Sequence, residues 1–331
     1  MELKQRIFLM DMLGKYILEN GEDLREECSR AEQQNPWFSH DFIFLSLKSI
    51  REAFLQKSIL EKWAVSYPIK MKGISKKVGL TLAGNIPLVG FHDFLCVFIS
   101  GHQAILKLSS KDEVLMTHFI TKLIEWDGDV AQQVSISSDL KNCDAYIATG
   151  SNNSARYFEF YFQKYPHIIR KNRTSVAILY GQETASDLSF LADDMMLYYG
   201  MGCRNVSHLF VPKDYDFLPL LNALKKYHSF IDFHKYKNNY DYRLSILLMN
   251  QTPFMDSGGI LLIENESLFA QLSCIHYSYY QNEQHLHETL QRNDQIQCIV
   301  GFHGLPFGKT QYPSIQDFAD GIDTMQFLCN L

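Results

Sequence analysis

Apolar positions in the first 66 residues recur at helical spacing. Ile7, Met10, Leu13 and Ile17 fall three or four apart, and Ile50 and Phe54 repeat the interval. Residues so spaced share one helix face, so residues 3–66 are expected to be helical as far as Tyr67-Pro68. The period then changes. Val78 to Ala83 reads as a buried strand, Gly84-Asn85-Ile86-Pro87 as a turn, and Val89 to Ser100 as an apolar helix closed by Gly101. Ala104 to Leu108 is a second strand. Asp112 to Trp126 follows as an amphipathic helix with acids in its first turn, where the helix dipole favours them. Val130 to Ile136 is a weaker strand and Ala145 to Ala148 a stronger one, and Thr149-Gly150-Ser151 opens a helix from Asn153 to Tyr165. Further along, strands are expected at Val176 to Leu179, Val206 to Val211, Gly259 to Ile263, Ile275 to Tyr280 and Ile296 to Val300. Helices are expected at Asp187 to Tyr199, Phe217 to Tyr227 and Glu283 to Gln291. The closing stretch, Ile315 to Leu328, carries Asp317, Asp320 and Asp323 on an expected exposed face. Strands alternating with helices predict an α/β fold with a parallel sheet covered on both faces.

A chain of 331 residues has room for two domains. The break is expected near residue 180, giving 1–180 and 181–331. A net charge of −6 argues against a nucleic-acid partner held through phosphates. The densest basic stretch, Lys70, Lys72, Lys76 and Lys77, reads as a solvated face or as a contact for a phosphate-bearing carrier or coenzyme. The longest apolar run, Ile86 to Ser100, is interrupted by His92-Asp93 and is too short for a membrane span. Glu2 and Asp11 do not suit a secretory signal. The seven cysteines form no C-x-x-C pair and no zinc-type spacing with histidine. Neither a disulfide scaffold nor a metal site is expected, and a reducing cytoplasm is the default.

Candidate chemistry centres on Gly200-Met201-Gly202-Cys203, where a helical run stops at two glycines just before a strand. Glycines allow a tight turn, and a thiolate presented on it can attack a carbonyl and hold the acyl group covalently. The plain alternative is a small buried cysteine. No G-x-G-x-x-G or Walker loop is present. Thr149-Gly150-Ser151 stands at a strand-to-helix junction, where backbone N–H groups favour an anion, though the same residues also serve as ordinary helix starts. Lys107 ends a strand, where ligands of open α/β sheets bind or where a lysine is simply solvated. Asn85 is either a turn former or an amide able to donate to an oxyanion.

Taken in order, Asn-x-Pro after a strand, strand-Lys-x-Ser, strand-Thr-Gly-Ser-helix and a Gly-x-Gly-Cys turn resemble the aldehyde dehydrogenase superfamily. Asn85 to Asp93, Lys107 to Asp112, Ile168 to Arg173, Gly202 to Ser207, Pro306 to Lys309 and Asp317 to Gly321 resemble one branch more closely, the LuxC-type acyl-CoA reductases. The resemblance runs from about residue 70 onward. It implies an aldehyde-dehydrogenase-like fold, with a helical section and Rossmann-type dinucleotide domain in 1–180 and a catalytic domain in 181–331. It implies that Cys203 is the nucleophile, and that Asn85, with the Cys203 N–H, receives the oxyanion. Lys107, with Ser109 and Ser110 beside it, falls at the adenosine ribose, and Thr149, Gly150 and Ser151 beneath the pyrophosphate. Glu266, a looser match, falls at the nicotinamide ribose. The family's general-base glutamate has no counterpart in Ile169-Arg170-Lys171-Asn172-Arg173, which favours thioester reduction over oxidation to a carboxylate. Ser110 stands where NAD-preferring members carry an acid, with Lys111 beside it, so NADPH is expected, NADH being the alternative. The implied activity is reduction of an acyl-CoA or acyl-carrier-protein thioester to an aldehyde. An acyltransferase or thioesterase using the same cysteine, and an inactive nucleotide-binding module, are the other readings. An acyl-supplying partner protein and a homo-oligomeric state stay open.

Overall fold

A computed structural model of the chain describes residues 1–69, 75–301 and 303–331. Lys70 and Lys72 of the basic stretch lie outside the described residues. The chain divides into two compact units, Met1–Asn172 with Pro313–Leu331, and Arg173–Tyr312.

The first unit begins with four helices, α1 (Leu3–Glu19), α2 (Glu22–Gln34), α3 (His40–Phe54) and α4 (Lys57–Val65). Their buried stripes, including Met10, Leu13, Ile43 and Leu47, join the core that covers the sheet. That sheet is built from β1 (Lys77–Thr81), β2 (Gln103–Lys107), β3 (Val134–Ile136), β4 (Ala145–Thr149) and β5 (His167–Arg170). All its pairings are parallel, in the order β3-β2-β1-β4-β5. Between the strands run α5 (Phe91–Ser100), α6 (Val114–Trp126), the short α7 (Val130–Gln133) and α8 (Asn152–Phe162). α5 is buried nearly all round and ends at Gly101, whose φ of 90° is a conformation that suits glycine. Arg6 of α1 reaches this end and donates to the Ile99 carbonyl at 3.2 Å.

The second unit opens with β6 (Thr174–Ile178) and α9 (Ala185–Met196), the latter started by a reciprocal capping box between Thr184 and Asp187. It continues through β7 (Val206–Val211), α10 (Leu218–Leu224), α11 (His234–Met249), β8 (Met255–Asp256), β9 (Leu261–Glu264), β10 (Cys274–Tyr279), α12 (Glu283–Gln291) and β11 (Ile296–Gly301). Its sheet runs β11-β6-β7-β10-β9-β8, parallel except for β8 against β9. The chain then returns to the first unit, where α13 (Thr324–Cys329) packs on α5 and adds Met325 and Leu328 to the core.

The structure departs from the sequence expectations at several points. The units divide between Asn172 and Arg173, because β6 already belongs to the second sheet, and the tail rejoins the first unit. α6 starts at Val114 with no acid in its first turn, since the Asp112 carboxylate is drawn away to the Leu88 N–H at 2.8 Å. Residues 130–133 are helical, and only Val134–Ile136 is strand. Three elements had no expected counterpart, the two-residue β8 among them. β5 offers only Ile168 and Ile169 as an apolar signal, and α11 buries tyrosines, Tyr236 and Tyr240, among lysines and asparagines. The tail acids are also engaged. Asp320 pairs with Arg170 at 3.7 Å, while Asp323 caps α13 and accepts from the Tyr67 hydroxyl at 3.1 Å.

Candidate active site

In the first unit, β1 sits at the centre of the sheet with β2 on one side and β4 on the other. Thr81 is in register with both Lys107 and Ala148. The segments after β1, β2 and β4 therefore leave the same edge of the sheet. Chain order reverses across β1, which makes this edge the switch point where open α/β sheets bind ligands. Asn85, Lys107, Ser109, Ser110, Thr149, Gly150 and Ser151 all lie on these three segments. Asn85, Lys107, Ser110 and Ser151 are exposed, and Ser109, Thr149 and Gly150 are half-buried.

The turn carrying Asn85 is held from several directions. A Cβ on Gly84 would lie 2.6 Å from the Ser109 hydroxyl, so glycine is needed for the two loops to touch. Ser46 of α3 donates to the Pro87 carbonyl at 2.7 Å. Leu88, in the left-handed region at φ 57°, donates its N–H to the buried Asp112 carboxylate. Burial drives the Asp112 carboxyl well above the usual carboxylate range, against the opposing pull of the Leu88 and Val89 amides, and Oδ1 has no hydrogen-bond partner. A folded-state value above the unfolded one means the folded chain holds the extra proton, so this contribution to stability is lost as pH rises through the folded value. Asp112→Asn keeps an acceptor for Leu88 without the charge. It is expected to match the parent near pH 3, below the unfolded carboxylate value, and to become the more stable of the two as pH rises, by about 1–3 kcal/mol at neutral pH in urea unfolding. A difference independent of pH would show that burial of this charge is not the cause.

Ser151 begins α8 by accepting from the Ser154 N–H at 3.2 Å, and the Gly150 N–H is bonded to the Arg170 carbonyl. Arg170, expected in the stretch lacking an acid, is itself buried. Its guanidinium makes a two-pronged pair with Asp93 at 2.8 and 3.1 Å and donates to Thr324 Oγ1 and the Ala319 carbonyl. Lys171 pairs with Glu159 at 2.7 Å, and that hydrogen bond holds the exposed Glu159 carboxyl below its usual range, a poor proton acceptor. Gln34, at the end of α2, donates to the Ser110 carbonyl and to Glu113, and Asn35 donates to the Lys111 carbonyl. The helical section thus fixes the Ser110-Lys111 loop.

In the second unit, Cys203 is exposed, whereas Cys28, Cys96, Cys143, Cys274 and Cys298 are buried and Cys329 is half-buried. The turn that presents it is locally determined. α9 stops at Met196, and Tyr198, Tyr199 and Gly200 follow in the left-handed region at φ 56°, 57° and 74°. Tyrosine disfavours this conformation by about 1–2 kcal/mol per residue. Both rings are buried, and that of Tyr199 packs against Phe230, Phe233 and Tyr236. Asn205 then locks the turn. Its Oδ1 accepts from the Gly202 N–H at 2.8 Å, and its Nδ2 donates to the carbonyls of Asp194, Met195 and Leu197. Ser175 of β6 donates its hydroxyl to the Cys203 carbonyl and its N–H to that of Asn205, each at 3.1 Å.

Asp194, buried on α9, accepts from the N–H groups of Gly308 and Thr310 and from the Thr310 hydroxyl. Arg204 donates to the Thr310 carbonyl. The Pro306-to-Thr310 loop is thereby fastened to the cysteine turn. Glu266 is exposed, in the segment between β9 and β10 of this same unit. Sequence reasoning did not single out Asp112, Asn205 or Asp194. The visible signals were an asparagine two residues after the cysteine and an acid within an apolar helix face.

A protein-family model described as acyl-CoA reductase (LuxC) matches residues 18–219. The long-chain acyl-protein thioester reductase of Aliivibrio fischeri is 25% identical over 232 residues, covering 64% of this chain and 45% of that protein. The chain thus spans less than half the length of this curated relative. Among solved structures, P. syringae AldA indole-3-acetaldehyde dehydrogenase, in complex with NAD+ and IAA, has a TM-score of 0.64 at 12% identity, covering 91% of this chain and 72% of its own. Staphylococcus aureus betaine aldehyde dehydrogenase has a TM-score of 0.66 at 11% identity, covering 94% and 73%. These likenesses establish an aldehyde-dehydrogenase-type α/β fold.

Proposed function

This chain belongs to the acyl-CoA reductase (LuxC) family, and we propose on that footing that it reduces an acyl thioester, of coenzyme A or of a carrier protein, to an aldehyde through an acyl-Cys203 intermediate. The observation that carries the reading is the presentation of Cys203 on a turn that Asn205 and Ser175 hold rigidly while the thiol faces solvent. The Cys203 thiolate attacks the thioester carbonyl carbon, and the coenzyme or carrier thiolate leaves, so that one thioester replaces another. The Asn85 amide donates to the oxygen that gains charge in this step. A reduced nicotinamide dinucleotide, when bound, supplies the hydride that converts the enzyme thioester to a thiohemiacetal, from which the aldehyde leaves and the thiolate is restored. The stretch Ile169 to Arg173 carries no acid, and Glu159, the partner of its Lys171, is a poor proton acceptor, which supports reduction over hydrolysis.

The first unit's sheet edge fits a dinucleotide. It is the switch point of a parallel sheet, and the exposed Ser151 opens the eleven-residue α8 beside Thr149, where backbone N–H groups favour a phosphate. Lys107 and Ser109 would contact the adenosine ribose, and Thr149, Gly150 and Ser151 the pyrophosphate. Glu266 would hold the nicotinamide ribose. Ser110 adds no negative charge where a 2′-phosphate would sit, and Lys111 could pair with it, which favours NADPH over NADH. P. syringae AldA was solved with NAD+, in keeping with a nicotinamide cofactor. Among the described residues no helix is long and apolar enough to cross a membrane. The scattered cysteines, with no C-x-x-C pair, support a reducing cytoplasm as the location.

The test uses acyl-CoAs of graded chain length with NADPH and with NADH in parallel. Aldehyde production with NADPH preferred is the expected result, and Asn85→Ala is expected to lower it about 10²–10³-fold. Release of free acid, or acyl transfer to an added thiol at the same rate without reductant, would instead mark a thioesterase or acyltransferase.

A further inference from the structure

Two buried histidines in the second unit meet at one backbone oxygen. His208 of β7 and His276 of β10 are register partners, 0% and 3% exposed. Their Nδ1 atoms lie 3.0 and 2.8 Å from the Ser267 carbonyl. A carbonyl only accepts, so both rings carry the Nδ1 proton. The bare Nε2 of His208 then accepts from the Ser278 hydroxyl at 2.9 Å. Burial lowers both imidazoles below their usual value, His208 to about 4, so the pair is neutral at physiological pH. On the other side of Glu266, the Asn265 N–H donates to the Tyr277 carbonyl at 3.0 Å, and Asn265 Oδ1 accepts from the Ser267 N–H. Just beyond, Ser207 donates to the Leu268 carbonyl at 2.6 Å, with Thr174 Oγ1 2.5 Å from the Ser207 hydroxyl. An exposed glutamate thus sits on backbone held on one flank by side chains of β7 and β10 and on the other by a main-chain bond to β10. Burying two imidazoles is costly unless their bonds are used, and here both serve one loop carbonyl.

We propose that His208 and His276 are positioning residues that act together through the Ser267 carbonyl to aim Glu266 at the nicotinamide ribose. The inference rests on the role given to Glu266 above. His276→Gln, which moves the donor away from the Nδ1 position, is expected to raise the dissociation constant for NADPH about tenfold. Glu266→Gln is expected to do the same, and the double variant to be no weaker than either single one, because the two act in series. His276→Asn keeps a donor near Nδ1 and should recover most of the loss. The rate of Cys203 alkylation by iodoacetamide should stay at the parent value in all four, which separates a displaced Glu266 from a disturbed cysteine turn. Should His276→Gln not fold, Ser278→Ala is measured in the same way, with about a threefold rise expected as the His208 ring loosens. Parent-like NADPH binding in Glu266→Gln overturns the role of Glu266 and this inference with it. A weakened Glu266→Gln beside a parent-like His276→Gln, or losses that multiply in the double variant, overturns the positioning role alone.

Discussion

Replacing Cys203 with alanine is expected to lower thioester turnover by on the order of 10⁴-fold or more, as removal of a covalent nucleophile does, while leaving NADPH binding unchanged. The expectation follows from the turn. The Asn205 and Ser175 side chains bond main-chain groups of residues 194–205, so these bonds survive in the alanine variant. A stability change under about 0.5 kcal/mol is expected, the usual range for an exposed position. Mass spectrometry supplies the direct check. The parent, exposed to an acyl-CoA without reductant, should gain one acyl group that the variant does not. Aldehyde formation by Cys203→Ala at the parent rate would falsify the covalent mechanism.

Arg170→Met is expected to cost about 3–5 kcal/mol of folding stability, the range for breaking one side of a buried ion pair. Burial alone would raise the Asp93 carboxyl, but the adjacent guanidinium outweighs it and holds the group below the usual carboxylate range. The cation gone, Asp93 would be a buried charge without a counterion, and Thr324 and the Ala319 carbonyl would each lose a donor. Because the folded-state value is depressed, the pair's contribution is present above the unfolded carboxylate value and is lost as pH falls through the folded one. Urea unfolding at pH 7 should therefore separate parent and variant widely, and the gap should narrow in acid. The double variant Asp93→Leu/Arg170→Met should recover a large part of the loss, since two apolar groups leave no charge stranded. A double variant as unstable as the single one would show that packing of the arginine stem, not the charge, carries the effect.

Much of the frame was legible because it rests on local pattern. β1, α5 and β2 are largely apolar stretches punctuated by Gly84 and Gly101, and Cys203 follows two glycines shortly before a strand. What escaped the sequence was set by partners distant along the chain. Asp112 looks like an acid favouring a helix start, yet its carboxylate bonds an amide 24 positions earlier. Asp320 and Asp323 look solvated until Arg170 and Tyr67 are placed beside them. α11 was hidden because tyrosine occupies its inward positions, and a tyrosine among lysines and asparagines gives little apolar contrast. His208 and His276 sit on apolar strands, with nothing in their immediate surroundings to announce the carbonyl they share.

The return of Pro313–Leu331 to the first unit has a consequence for synthesis. A nascent chain emerges N-terminus first, so all of Arg173–Tyr312 is translated before α13 exists. Until then the earlier-made unit has gaps at Ile315, Met325 and Leu328, and Arg170 lacks its Thr324 and Ala319 acceptors. The inserted unit is thus synthesised in full before the unit begun first can close its core.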